Sequence, residues 1–269
     1  MRVVVIPARN EAGHLETVVV GVKHFVDTII VVDDQSADET ADIASGLGCI
    51  VLRNSEHLGY GSTLRRGLSW CYRAAAKAVF TMDADGQHAP EWIEESMCLL
   101  AEGVDVAFAN RFACTDGVPL TKIISNNLAW YCLKRIIGRA PVCEDVSCGF
   151  RAYSRRGLLV TIASPATAAE GYAFTHATCV HLHQSGLRLA AFKAAAIYPE
   201  GVLGTSLVEL TDFLLWLQSW TALKREADAW LTCLSKGDPL VFDFESWGGQ
   251  GMLRAVGRTV GDQLILQYR

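Results

Sequence analysis

Asp83 and Asp85 stand one residue apart, and the side-chain amide of Gln87 follows two positions later. Carboxylate and amide oxygens are hard donors of the kind that hold Mg²⁺ or Mn²⁺, and such an ion typically ties a protein to phosphate oxygens. Asn10 with Glu11 and Asp33 with Asp34 form two further polar clusters, each directly behind a short apolar run. A single cluster of this kind reads as a solvated turn. Three at one edge would repel each other without a cation or hydrogen-bond donors, so together they point to a ligand site. His88 is expected to support the Asp83–Gln87 segment rather than to ligate.

The elements that must carry these residues alternate. Residues 3–6, 28–32, 49–52, 79–82 and 105–109 are apolar, largely β-branched runs that read as strands, and residues 187–197 read as another. Between them, residues 13–24, 37–47, 62–77 and 91–102 have helical signals. Ser36, with Glu39 three positions on, reads as a capping box for the second helix. Repeated strand–helix units with short loops make the fold class α/β, a Rossmann-like, mostly parallel sheet covered by helices. Such sheets bind ligands at the carboxyl ends of their strands, where the three clusters fall.

Composition narrows the possibilities. Apolar residues make up 51% of the 269 and charged residues 20%, which excludes a disordered chain. The net charge of −5 argues against nucleic-acid binding, but it is uneven. Residues 1–110 hold eight Lys/Arg against sixteen Asp/Glu, whereas residues 111–156 hold eight against three. That basic middle suits a local anionic ligand or a solvated face. The nine cysteines, scattered with no Cys-x-x-Cys pair, suggest reduced thiols and a cytoplasmic protein. Cys179, His181 and His183 have no second ligand group at zinc spacing. No apolar run reaches the roughly 18 residues of a membrane span, and residues 207–223 are broken by Glu209 and Asp212. The start of the chain does not read as a signal peptide.

Five segments in order carry a family resemblance: Val5-Ile6-Pro7-Ala8-Arg9-Asn10-Glu11, Val31-Val32-Asp33-Asp34-Gln35-Ser36-Ala37-Asp38, Gly59-Tyr60-Gly61, Asp83-Ala84-Asp85-Gly86-Gln87-His88 and Ser147-Cys148-Gly149-Phe150-Arg151. Over residues 1–206 the chain resembles family 2 glycosyltransferases of GT-A fold, and among them the polyprenyl-phosphate (dolichyl-phosphate) mannosyl- and glucosyltransferases. The resemblance implies an inverting, metal-dependent enzyme that moves a hexose from a UDP- or GDP-sugar. It implies that Pro7, Arg9 and Glu11 line the nucleotide pocket, that Asp34 holds base or ribose with Asp33 supporting it, and that Gly59 and Gly61 form a tight loop backed by Arg65. Asp83 would face the donor, and Asp85 with Gln87 would hold Mg²⁺ or Mn²⁺ on its diphosphate. Arg111, Lys122 and Arg151 would meet the acceptor, and Glu170 would orient it. The chain departs from the family pattern at Gly201 and Leu207, where relatives carry arginine and lysine.

The acceptor stays open at this level. A polyprenyl phosphate is already ionised and needs cations rather than a base, whereas a hydroxyl on a small molecule or sugar needs a carboxylate, for which Asp145 is the candidate. A nucleotide-sugar-binding protein without catalysis is the reading outside the enzyme class. A dinucleotide-dependent oxidoreductase is excluded, because Leu64 stands where the third glycine of its phosphate loop belongs. Residues 1–110 are expected to form the nucleotide-sugar half, 111–206 the acceptor half, and 207–269 a helical extension. Its apolar stripe over residues 211–234 would pack on the core, dimerise, or lie on a membrane surface as a peripheral contact. Residues 240–269 are expected to add a strand and a short helix.

Overall fold

The structure is a computed structural model that describes residues 1–113, 118–164, 171, 173–195, 197, 205–219, 223–236, 238, 240–245, 252–260 and 263–268. Seven strands form the main sheet: β1 (Arg2–Ala8), β2 (Thr28–Asp33), β3 (Ile50–Arg53), β4 (Ala78–Thr81), β5 (Val106–Asn110), β6 (Arg151–Ser154) and β7 (Leu189–Lys193). Their order is β3-β2-β1-β4-β6-β5-β7, and only β6 runs antiparallel to its neighbours. The α/β reading holds. Strand residues alternate between the two faces, so Val3 and Val5 enter one core while Val4 and Ile6 enter the other. Parallel registry of Ala8 with Asp33 brings the ends of β1 and β2 side by side.

Helices cover both faces: α1 (Leu15–Val22), α2 (Thr40–Gly46), α3 (Tyr60–Arg73), α4 (Trp92–Ala101), α5 (Leu120–Ile137), α6 (Arg155–Ile162) and α7 (Ala173–Gln184). The expected capping box does not form. Glu39 is the residue before α2, with no side-chain cap. The Ser36 hydroxyl instead accepts the Asn10 N–H at 2.9 Å, and Asn10 Oδ1 accepts the Ala37 N–H at 2.8 Å. Two neighbouring strand ends offer each other donors and acceptors that a helix cap would otherwise supply, so the loops lock together.

The last part of the chain corrects two expectations. The stripe over 211–234 is divided between α8 (Leu207–Leu217) and α9 (Lys224–Lys236). Splitting it lets Phe213, Leu214, Leu217, Leu223 and Ala227 all enter the core that contains Phe174 and Leu133. Beyond them lie β9 (Leu240–Glu245), β10 (Met252–Val260) and β11 (Gln263–Tyr268), where a strand and a short helix were expected. With β8 (Thr205–Ser206) they form an antiparallel sheet ordered β8-β11-β10-β9, and each strand thereby gains a hydrogen-bonding partner. Among the described residues no helix is long and apolar enough to cross a membrane.

Candidate active site

A cavity of about 660 Å³ opens where β1, β2 and β4 end. The strand ends contribute Pro7, Arg9, Glu11, Asp34, Asp83, Asp85 and Gln87, and the start of α3 contributes Gly59, Tyr60 and Thr63. Arg111, at the start of the short 3-10 helix Arg111–Ala113, and Ser147, in the loop before β6, flank it, and α5 adds Lys122, Ser125 and Asn126. Gly171, Thr175, His176, Asp212 and Phe213 complete the wall.

Asp34 organises the loop that leads into α3. Its Oδ1 accepts the Leu58 N–H and the Asn54 amide, both at 2.8 Å. Its Oδ2 takes the Gly59 N–H at 2.9 Å and lies 2.8 Å from His57 Nδ1. Burial pushes this carboxyl up, but those four partners outweigh it and the net direction is down. Gly59 holds φ at +80° as the residue before α3, a conformation that a side chain disfavours. Asp33 is buried below, where Oδ1 accepts the Ser36 N–H at 3.1 Å and Oδ2 pairs with Arg53 Nε at 3.1 Å. It supports the loop without reaching the cavity.

The Asp83–Gln87 turn is tightly braced. Tyr60 donates its hydroxyl to Asp83 Oδ1 at 2.8 Å. The Asp83 N–H donates to His88 Nδ1 at 3.1 Å, which leaves His88 Nε2 facing Asp83 Oδ2 at 3.6 Å. Burial, aided by Arg111, pushes His88 down to about 4, so it is a neutral brace. Asp85 accepts the Gln87 N–H at 3.0 Å and the Gln87 side-chain amide at 2.8 Å. Burial raises the Asp83 carboxyl, against the Tyr60 hydrogen bond and Arg111. Burial and the neighbouring Asp83 both raise Asp85. A divalent cation would relieve that repulsion, and two carboxylates with an amide oxygen suit Mg²⁺ or Mn²⁺. Among the described residues no cluster of three His, Cys, Asp or Glu offers another metal site.

Arg111 and Asp145 form a buried pair. Arg111 Nε donates to Asp145 Oδ2 at 2.6 Å and Nη2 donates to Oδ1 at 3.2 Å. The Arg111 N–H also meets Oδ2, and the Ser147 N–H and hydroxyl both meet Oδ1. Five donors therefore saturate Asp145, whose side chain is fully buried and does not line the cavity. It is placed to aim Arg111, not to take a proton from an acceptor hydroxyl.

Three more expectations are corrected. Arg151 lies within the sheet, only 2% exposed, with its guanidinium donating to the Thr175 carbonyl and the Thr178 hydroxyl and stacked over Phe108. It braces α7 and does not line the cavity. Arg65 is exposed on the outer face of α3, because the helical turn that aims Thr63 at the cavity carries Arg65 away from it. Gly61 is buried inside α3 rather than in the loop. Glu170 lies outside the described residues, as does Gly201, and of Leu207 only its helical backbone is described. His183 is structural, since its Nε2 accepts the Val142 N–H at 2.8 Å.

Sequence reasoning missed His57, Tyr60, Thr63, Ser125, Asn126, Thr175, His176, Asp212 and Phe213 as wall residues. Tyr60 had a signal, standing between the two quoted glycines. Asp212 had none, because Gly171, the wall residue it closely approaches, is far from it in the chain.

The sequence model described as "Glycosyl transferase family 2" matches residues 3–159. Polyprenol monophosphomannose synthase of Mycolicibacterium smegmatis is 30% identical over 182 residues, 64% of this chain and 68% of that protein. UDP-N-acetylglucosamine–dolichyl-phosphate N-acetylglucosaminyltransferase of Methanococcus voltae is 29% identical over 178 residues, 58% of this chain and 70% of that protein. Among solved structures, glucosyl-3-phosphoglycerate synthase from Mycobacterium tuberculosis bound to UDP superposes with a TM-score of 0.58 at 22% identity, covering 90% of this chain and 84% of that one. The same enzyme with Mn²⁺, UDP and glucosyl-3-phosphoglycerate gives 0.55 at 23% identity, covering 91% and 85%. The match over more than half of the chain and the shared GT-A sheet together make this protein a member of glycosyltransferase family 2.

Proposed function

We propose that the protein transfers a hexose from a UDP- or GDP-sugar to a polyprenyl phosphate, by one inverting displacement that depends on Mg²⁺ or Mn²⁺. The observation that carries the acceptor class is Arg111, locked by Asp145 and facing the cavity with Lys122. Two cations suit a phosphate monoester, and the carboxylate that a hydroxyl acceptor would use at this position is saturated. The relatives named for polyprenol and dolichyl phosphate favour the same acceptor. A membrane-borne acceptor calls for work at a membrane surface, on its cytoplasmic side.

In this reading Pro7, Arg9 and Glu11 line the nucleotide pocket, with Asp34 acting through the loop His57–Gly59 that it shapes. Asp83, Asp85 and Gln87 would hold the cation, which supplies positive charge against the departing diphosphate. An acceptor phosphate oxygen, held by Arg111 and Lys122, attacks the anomeric carbon. The bond to the donor oxygen breaks, and its electron pair leaves with the nucleoside diphosphate. No proton has to be removed first.

Calorimetric titration with UDP and with GDP, each with Mn²⁺ and again with EDTA, tests the donor side. Binding of one nucleotide that EDTA abolishes is expected, and binding indifferent to EDTA would overturn the metal assignment. A transfer assay with a short-chain prenyl phosphate tests the acceptor, where Lys122→Met is expected to raise KM at least tenfold, about 1.4 kcal/mol. Gly149→Ala tests the brace on Asp83. A Cβ there would lie 2.5 Å from Asp83 Oδ2 and 2.6 Å from the Tyr60 hydroxyl. Turnover is expected to fall roughly tenfold to a hundredfold from this displacement, with little change in the unfolding midpoint. Unchanged turnover would mean that the Asp83 position is immaterial.

A further inference from the structure

Arg9 and Glu11 follow β1 and Asp34 follows β2, so all three stand in the cavity wall where those strands end. Among the described wall residues at those two strand ends, Arg9 is the one permanent cation. Glu11 does not neutralise it. The Glu11 Oε2 lies 3.1 Å from His14 Nδ1, and among the described residues no carboxylate comes within ion-pair distance of Arg9.

The side chain that Arg9 does meet is His57, with Arg9 Nη1 3.3 Å from His57 Nε2. Across the ring, His57 Nδ1 lies 2.8 Å from Asp34 Oδ2. These two partners settle where the ring hydrogen sits. A guanidinium can only donate and a carboxylate can only accept, so Nδ1 carries the N–H and Nε2 the lone pair. Asp34 is itself held by the Asn54 amide and the Leu58 and Gly59 N–H groups, and its side chain is 5% exposed. The imidazole therefore rests on a fixed support. With both of its oxygens engaged by two donors each, Asp34 contributes through His57.

A carboxylate in the place of His57 would hold Arg9 but cancel its charge. An imidazole in this tautomer accepts one N–H and leaves the positive charge and the other guanidinium donors to a ligand. We propose that His57 is a positioning residue for donor binding: it holds Arg9, with its charge intact, against the nucleoside diphosphate. This rests on the nucleotide-donor reading above and not on the choice of acceptor. The tautomer is essential to it, since a hydrogen on Nε2 would set two N–H groups against each other and Arg9 would lose its hold.

A double-mutant cycle tests this, read by calorimetric titration with UDP and with GDP in the presence of Mn²⁺. The variants are His57→Phe, which keeps a ring and removes both nitrogens, Arg9→Met, and the two together. His57→Phe is expected to weaken the nucleotide that wild type binds at least about fivefold, and Arg9→Met at least about tenfold. The double variant should bind within about twofold of Arg9→Met alone, because His57 then has nothing left to position. His57 is 47% exposed, so its replacement is expected to leave the unfolding midpoint unchanged. Should His57→Phe not fold, His57→Ala completes the cycle. Losses that multiply in the double variant overturn the inference, since His57 would then act on the loop or on the nucleotide itself. Unchanged affinity in the His57 variant overturns it as well. Either result leaves the nucleotide-donor reading standing. Binding of neither nucleotide by wild type overturns that reading and this inference with it.

Discussion

Asp145→Ala is expected to destabilise the protein by about 3 kcal/mol, because it leaves the Arg111 guanidinium buried without its counter-ion. The low end of the usual range applies, since Arg111 also faces the cavity and water can reach it there. Urea unfolding measures this directly. The double variant Arg111→Met with Asp145→Ala should lose clearly less than the two single changes summed, because no charge is then stranded. Asp145→Asn separates aiming from proton transfer. If Asp145 only aims Arg111, the acidic limb of the kcat/KM profile against pH keeps its shape while the whole profile drops. Disappearance of that limb would make Asp145 the base after all.

Asp85→Ala has the larger effect on function and the opposite effect on stability. Burial and the adjacent Asp83 both work against the charge on Asp85, so removing it relieves the folded state. The unfolding midpoint is expected to stay level or rise. Turnover should nonetheless fall at least about a hundredfold, as when one preorganised stabiliser of developing charge is removed. Nucleotide binding should become insensitive to EDTA. A variant that stays EDTA-sensitive would move the cation to other ligands, and one that unfolds would make Asp85 a structural residue. Stability traded for a functional charge is common in active sites.

How much of this could be read from the chain follows from where the information lies. Strands β1, β2 and β4 and the acids behind them were legible because a β-branched run and the polar turn after it are contiguous. Registry then delivers the acids to one edge, with Ala8 opposite Asp33 and Val5 opposite Thr81. Arg111 was legible as a cavity residue by resemblance, but its partner Asp145 was misread. Carboxylate chemistry depends on who donates to it, and the five donors come from the backbone and side chains of two separate loops. Ser36 failed as a cap for the same reason, since its best partner was Asn10 on another strand end rather than its own helix. Arg151 looked like an acceptor contact only because it follows Gly149 and Phe150, and strand β6 turns its side chain inward. Only one strand was expected in residues 240–269, and β10 was not legible as a further one because Arg254, Gly257 and Arg258 interrupt its apolar pattern. The contribution of α8 to the cavity rests on a long-range contact at Gly171 that leaves no local periodicity.

The reversed direction of β6 bears on how the molecule can be assembled. β5 pairs only with β6 and β7, and β4 reaches β5 only through β6. Both of the strands that β5 needs arise later in the chain. A ribosome that has delivered residues 1–110 has therefore made a last strand with no place in the sheet, and the β4 edge stays open until residue 154 arrives. Residues 1–110 are then not a free-standing unit to which the rest was added. Their sheet is closed by β6, and a chimera cut at residue 110 would exchange the seam of that sheet.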